Sequence, residues 1–123
     1  MTGTIPYGIS RLSLRAINFA MNNLSGPIPE DFFLMDGLED VSMEQNLFTG
    51  TIPELHGDVT KIIQLWIQRN LLTSTIPQWI GELSSVQVLY MHLNLFTGTL
   101  PKNLNLDSAR ECKYTAFYDY GMD

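Results

Sequence analysis

A chain of 123 residues has room for one domain, and 45% apolar with 16% charged residues places it among globular rather than disordered sequences. The net charge is -6, and Glu30, Asp31, Asp36, Glu39, Asp40, Glu44, Glu54 and Asp58 follow one another with no Lys or Arg between them. That acidic middle argues against nucleic-acid binding, which draws its affinity from clustered cations, although the run also reads as a solvated face.

The first 13 residues open on Thr2-Gly3-Thr4-Ile5-Pro6, and variants of that motif return along the chain. Residues 21 to 29 read MNNLSGPIP, 45 to 53 QNLFTGTIP, 69 to 77 RNLLTSTIP and 93 to 101 LNLFTGTLP. Pro6, Pro29, Pro53, Pro77 and Pro101 therefore stand 23, 24, 24 and 24 residues apart, which is the mark of a repeat array. The frame gives one domain over residues 1–123: a partial repeat 1–13, repeats 14–37, 38–61, 62–85 and 86–108, and a degenerate C-terminal cap 109–123.

Ahead of each motif lie LRAINFAMN (14–22), LEDVSMEQN (38–46), IIQLWIQRN (62–70) and VQVLYMHLN (86–94). Each is apolar at its first, fourth and sixth positions, and the alternation around the last two predicts a short strand with one buried face. A strand that returns every 24 residues lies parallel to its neighbours, about 4.8 Å away, so the copies stack into one parallel sheet with irregular or 3₁₀ turns behind it. Asn22, Asn46, Asn70 and Asn94 close the strands, where an inward amide satisfies backbone groups that water does not reach. Leu24, Phe48, Leu72 and Phe96 form the next apolar column, and Gly26, Gly50, Ser74 and Gly98 follow. Ile28, Ile52, Ile76 and Leu100 come next, and the prolines after them suit an arc that leaves the sheet. Phe32, His56, Ile80 and Leu104, then Met35, Val59 and Leu83, return the chain to the next strand.

The combined pattern, L-x-x-L-x-L-x-x-N-x-L-x-G-x-I-P, resembles the leucine-rich repeat, and its x-G-x-I-P element is similar to the plant-type subclass of receptor-like kinases, receptor-like proteins and protease or glycanase inhibitors. The resemblance runs from Thr2 to about Phe117 and implies an α/β solenoid: a right-handed superhelix with its parallel sheet on the concave face and 3₁₀ or irregular turns on the convex one. The paired cysteines that cap such ectodomains are absent, and the chain opens halfway through a repeat. A fragment or incomplete gene product is therefore expected, with self-association through the uncapped N-terminal end. At the other end the frame loses one residue, which sets Ala109, Cys112, Tyr114 and Phe117 in the apolar and Asn positions of a last repeat. Cys112 there reads as a small buried hydrophobe.

In this family ligands bind the concave face, to which the resemblance assigns the strand positions between the buried ones. One row there runs Ala16, Asp40, Gln64, Val88, a second Asn18, Ser42, Trp66, Tyr90, and a third Ala20, Glu44, Gln68, His92. Met21, Gln45, Arg69 and Leu93 form the edge. Large aromatics on an open face anchor interfaces, although Trp66 and Tyr90 also read as a pair that merely stiffens the sheet. The candidate ligand-binding residues are Asp40, Ser42, Glu44, Gln64, Trp66, Gln68, Arg69, Val88, Tyr90 and His92. Asp40 and Glu44 point to a protein or peptide ligand that carries Lys or Arg near an apolar group.

Other chemistry is sparse. A lone Cys112 excludes an intrachain disulfide, and with His56 and His92 it offers no zinc spacing, so neither metal nor cofactor is expected. His56 reads as a half-buried spacer, and pairs such as Glu39-Asp40 as surface charge. No nucleophile, phosphate-loop or zincin motif appears, which points away from an enzyme. No apolar run reaches the roughly 18 to 20 residues of a membrane span, so no membrane contact by this segment is expected. The start MTGTIPYGIS has no signal-peptide character, and an extracellular or cell-surface location follows only if the segment belongs to a receptor-like chain. The outer T-x-T pairs Thr2/Thr4, Thr49/Thr51, Thr73/Thr75 and Thr97/Thr99 offer a second reading as an ice-binding ladder, or as β-branched residues of a short second strand in a purely structural solenoid.

Overall fold

The fold comes from a computed structural model, which describes residues 1–55, 61–98 and 101 and the backbone of residues 111–113. The chain enters through β1 (Thr2–Gly3) and a 3₁₀ turn, η1 (Ile9–Arg11). Each turn then repeats an inner strand, a flanking strand and, where described, a 3₁₀ turn. The series is β2 (Ala16–Asn18), β3 (Asn23–Pro27) and η2 (Phe32–Leu34), then β4 (Asp40–Ser42) and β5 (Leu47–Gly50). It continues with β6 (Gln64–Trp66), β7 (Leu71–Ser74) and η3 (Gln78–Glu82), then β8 (Val88–Tyr90) and β9 (Leu95–Phe96), and ends on β10 (Glu111–Lys113).

The inner strands form a parallel sheet in the order β10-β8-β6-β4-β2. Its register advances 24 residues per strand, setting Ile17, Val41, Leu65 and Leu89 side by side. The last step is 23, with Cys112 opposite Leu89, so the backbone absorbs the one-residue deletion without losing its pairing. The side chain of Cys112 lies outside the described residues, as do His56, Val59, Thr99, Leu100, Leu104, Ala109, Tyr114 and Phe117.

The sequence leads one to expect one sheet, with a short second strand only as a reading of the threonine pairs, and the structure pairs those flanking strands into a second sheet. The second, β1-β3-β5-β7-β9, is also parallel and five-stranded. Two left-handed bends per turn create it. The residue before each asparagine takes a positive φ, 56° at Met21, 57° at Gln45, 60° at Arg69 and 57° at Leu93, and turns the chain out of the inner sheet. A second bend follows at Gly26, Gly50, Ser74 and Gly98, with φ between 68° and 81°. The segments held between these bends are extended and lie side by side, so their peptide groups pair.

The core fills the space between the sheets. Val41, Leu65, Leu89, Met43, Ile67 and Met91 point back from the inner sheet and Phe48, Leu72 and Phe96 from the flanking one, all at most 1% exposed. Burying each such side chain contributes about 2 kcal/mol. The first turn departs from the expected pattern: Ile17 is buried, but Leu14 is 39% exposed and Phe19 only half-buried. Strand β2 is the edge of its sheet, so no inner strand among the described residues flanks these two positions on the other side.

The asparagines tie one turn to the next. The Asn70 Oδ1 accepts the Phe48 N–H at 3.1 Å, and its Nδ2 donates to the carbonyls of Met43 at 2.9 Å, Ile67 at 3.2 Å and Gln68 at 3.4 Å. Asn46 makes the same set with Leu24, Phe19, Met43 and Glu44, and Asn94 with Leu72, Ile67, Met91 and His92. Asn22, half-buried in the first turn, donates to Phe19 and Ala20, both at 3.0 Å.

Candidate functional site

On the face away from the core, strand register sets Asp40 beside Gln64 and Gln64 beside Val88, and likewise Ser42, Trp66 and Tyr90. The third row is fixed by backbone bonds just beyond the strand ends. The Met21 N–H donates to the Glu44 carbonyl at 2.9 Å, Gln45 to Gln68 at 3.1 Å and Arg69 to His92 at 3.0 Å, which aligns Glu44, Gln68 and His92.

The bulk on this face is uneven. Ala16 and Asn18 on β2, Ala20 just past its end and Ser42 on β4 make a low floor, against which Trp66 and Tyr90 rise as a ridge. Their rings meet edge to face, with centroids 4.5 Å apart at 76°, and Tyr90 meets His92 at 5.7 Å and 71°. The Trp66 Nε1 donates to Gln64 Oε1 at 3.2 Å, which fixes the indole along its own strand. Both aromatics are half-buried.

Electrostatically the face is short of donors. The Asp40 Oδ1, Glu44 Oε1 and Gln68 Oε1 are buried without a hydrogen-bond partner among the described residues, and Gln68 as a whole is only 9% exposed. The ion pairs among the described residues, Arg15–Glu39 at 3.1 Å and Lys61–Asp36 at 3.7 Å, involve none of the three. Arg69 is exposed at the left-handed bend, at the rim of the face, and Val88 is half-buried beside Gln64. The bend itself carries no sequence signal, since none of Met21, Gln45, Arg69 or Leu93 is glycine. The missing donors are also invisible to residue type alone.

Two other sets of residues behave differently. Asp31 ties η1 to η2: its Oδ2 accepts the Ser10 hydroxyl at 2.7 Å and the Gly8 N–H at 3.2 Å. The Ser10 hydroxyl holds the Asp31 carboxyl below its ordinary pKa range. The threonine pairs are stepped rather than level, because the flanking sheet advances 22 residues per strand and sets Thr49 opposite Leu71 and Thr73 opposite Leu95. Successive threonines are thus offset by about two residues, roughly 7 Å, along the strands. Among the described residues no group of three His, Cys, Asp or Glu side chains is placed to hold a metal.

Residues 13–35 match the Leucine Rich Repeat family model. No curated protein sequence matches significantly. Among solved structures, the chain is similar to the plant peptide hormone receptor RGFR1, solved in complex with RGF2, at 29% identity and a TM-score of 0.86 over 91% of this chain and 18% of that one. It is similar to the leucine-rich-repeat ectodomain of the Arabidopsis thaliana membrane receptor kinase GASSHO1/SCHENGEN3, solved with CASPARIAN STRIP INTEGRITY FACTOR 2, at 30% identity and 0.82, over 88% of this chain and 13% of that one. The Arabidopsis receptor kinase HAESA, solved with the peptide hormone IDA and the co-receptor SERK1, gives 25% and 0.83 over 91% and 19%. The chain thus spans less than a fifth of each of these relatives.

Proposed function

We propose that this chain, a leucine-rich-repeat solenoid built like the ectodomains of plant receptor kinases, is a non-catalytic recognition module that takes a protein or peptide ligand on its concave face. The observation that carries the reading is the Trp66–Tyr90 pair, two large half-buried rings in edge contact on the concave sheet. Aromatic pairs of this kind supply apolar contact at little entropic cost and tend to anchor binding surfaces. Gln64, Gln68 and His92 surround the pair with hydrogen-bonding groups, and Asp40 with Glu44 adds negative charge one strand away. Three of the similar structures hold peptide or protein ligands of their own, which supports the same class of partner here.

The five inner strands, about 4.8 Å apart, give a sheet about 20 Å wide, enough for a short extended peptide. The exposed edge at β2, with Leu12 51% and Leu14 39% exposed, adds self-association as a means of enlarging it. The test is to pan a random dodecapeptide library on the immobilised chain and to re-measure the selected peptides on the Trp66→Ala/Tyr90→Ala double variant. The reading expects loss of binding with a retained circular-dichroism spectrum. Undiminished binding by a folded double variant removes the concave face from the account.

A further inference from the structure

Of the four buried side-chain oxygens that lack a partner among the described residues, three sit on the concave face: Asp40 Oδ1, Glu44 Oε1 and Gln68 Oε1. All three are acceptors, and two belong to carboxylates. Glu44 and Gln68 are lateral neighbours just beyond the ends of β4 and β6, and Asp40, Ser42 and Glu44 are alternate residues through β4 and past its end. Ser42, the small residue between the two acids, stands directly beside Trp66. The result is a small side chain beside an aromatic ring, with enclosed acceptors on either side of it. The group that fits it has several donors, no acceptor, a positive charge and a flat face.

Resting on the recognition reading above, we propose that Glu44 and Gln68, with Trp66 as the stacking wall and Asp40 as a longer-range charge, form a subsite for an arginine side chain of the ligand. A guanidinium presents five N–H donors in one plane, which suits two adjacent acceptors, and it stacks on indole. A lysine ammonium supplies the charge but neither the plane nor the fork. Gln68 separates a built subsite from a merely acidic surface: it is nine-tenths buried, and its carboxamide oxygen has no donor. A group of that kind costs about 1 to 3 kcal/mol to bury unpaired, a cost that an incoming donor removes.

The direct experiment is an NMR titration of the wild-type chain with N-acetyl-arginine amide, with capped citrulline as the neutral isostere and capped lysine as the charge control. The subsite predicts shifts confined to the Trp66 indole N–H and the Gln68 carboxamide, millimolar affinity for arginine, and binding about tenfold weaker for citrulline and severalfold weaker for lysine. Glu44→Gln lowers the arginine affinity about tenfold, and Asp40→Asn lowers it less. Citrulline binding as well as arginine, or no shift at Trp66 and Gln68, overturns the subsite. Peptides selected by panning that are lost on the Trp66/Tyr90 double variant, yet tolerate arginine-to-citrulline replacement, leave the concave reading standing without this subsite. Peptides insensitive to the double variant remove both.

Discussion

Asn70 and Gln68 carry the same carboxamide two residues apart, and the fold treats them in opposite ways. The Asn70 amide points between the sheets and finds one donor and three acceptors, while the Gln68 amide points over the inner sheet and leaves its oxygen without a donor. The levels behind the sheet are closed within the protein, and the level in front of it is not. Among the described residues, three of the four buried oxygens left without a partner lie on the concave side, and under the proposal above a ligand's donors complete them.

The strongest way to break this contrast is to remove a ladder amide. Asn70→Ala strands the Phe48 N–H and takes the donor from three carbonyls, so a loss of about 3 kcal/mol is expected in urea denaturation. Asn22→Ala removes two bonds at a half-buried site and should cost about 1 kcal/mol, so equal losses at both positions would contradict the inward closure described here. At the second bend, Ser74 holds φ 68° where its equivalents are glycine, and Ser74→Gly should raise stability by about 0.5 to 1 kcal/mol in the same assay. Gly98→Ala should do the opposite, since its Cβ would lie 2.8 Å from the Thr75 Cγ2.

Asp31 is the intermediate case, with one oxygen satisfied by Ser10 and Gly8 and the other unpartnered. Its folded pKa is depressed, so its contribution is present above the unfolded value near 3.8 and is lost as pH falls through the lower folded value. Thermal melts should therefore show the difference between wild type and Asp31→Asn shrinking below about pH 4. The stepped threonines predict the smallest effect of all: freezing-point measurements should show no thermal hysteresis.

Most of the fold was legible because the proline and asparagine spacing fixes the phase, and phase alone decides which side chains share a level. That is why Asp40, Gln64 and Val88, or Ser42, Trp66 and Tyr90, read as neighbours from the letters and lie in register in the structure. The threonine pairs marked a short second strand, but not the left-handed bend at Met21, Gln45, Arg69 and Leu93 that sets those strands into a sheet, since these residues share no preference for that conformation. The exposure of Leu14 was hidden too, since a repeating pattern carries no mark of which turn lies at an edge. The deficit of donors on the concave face depends on the directions of individual side chains, which spacing does not set.

One substitution separates the two kinds of carboxamide most directly. Gln68→Met keeps the volume and removes the unpaired oxygen, so the melting temperature should hold or rise while affinity for arginine-bearing peptides falls about tenfold. A fall in stability as large as that of Asn70→Ala, or an unchanged affinity, would show that Gln68 serves the fold rather than a ligand.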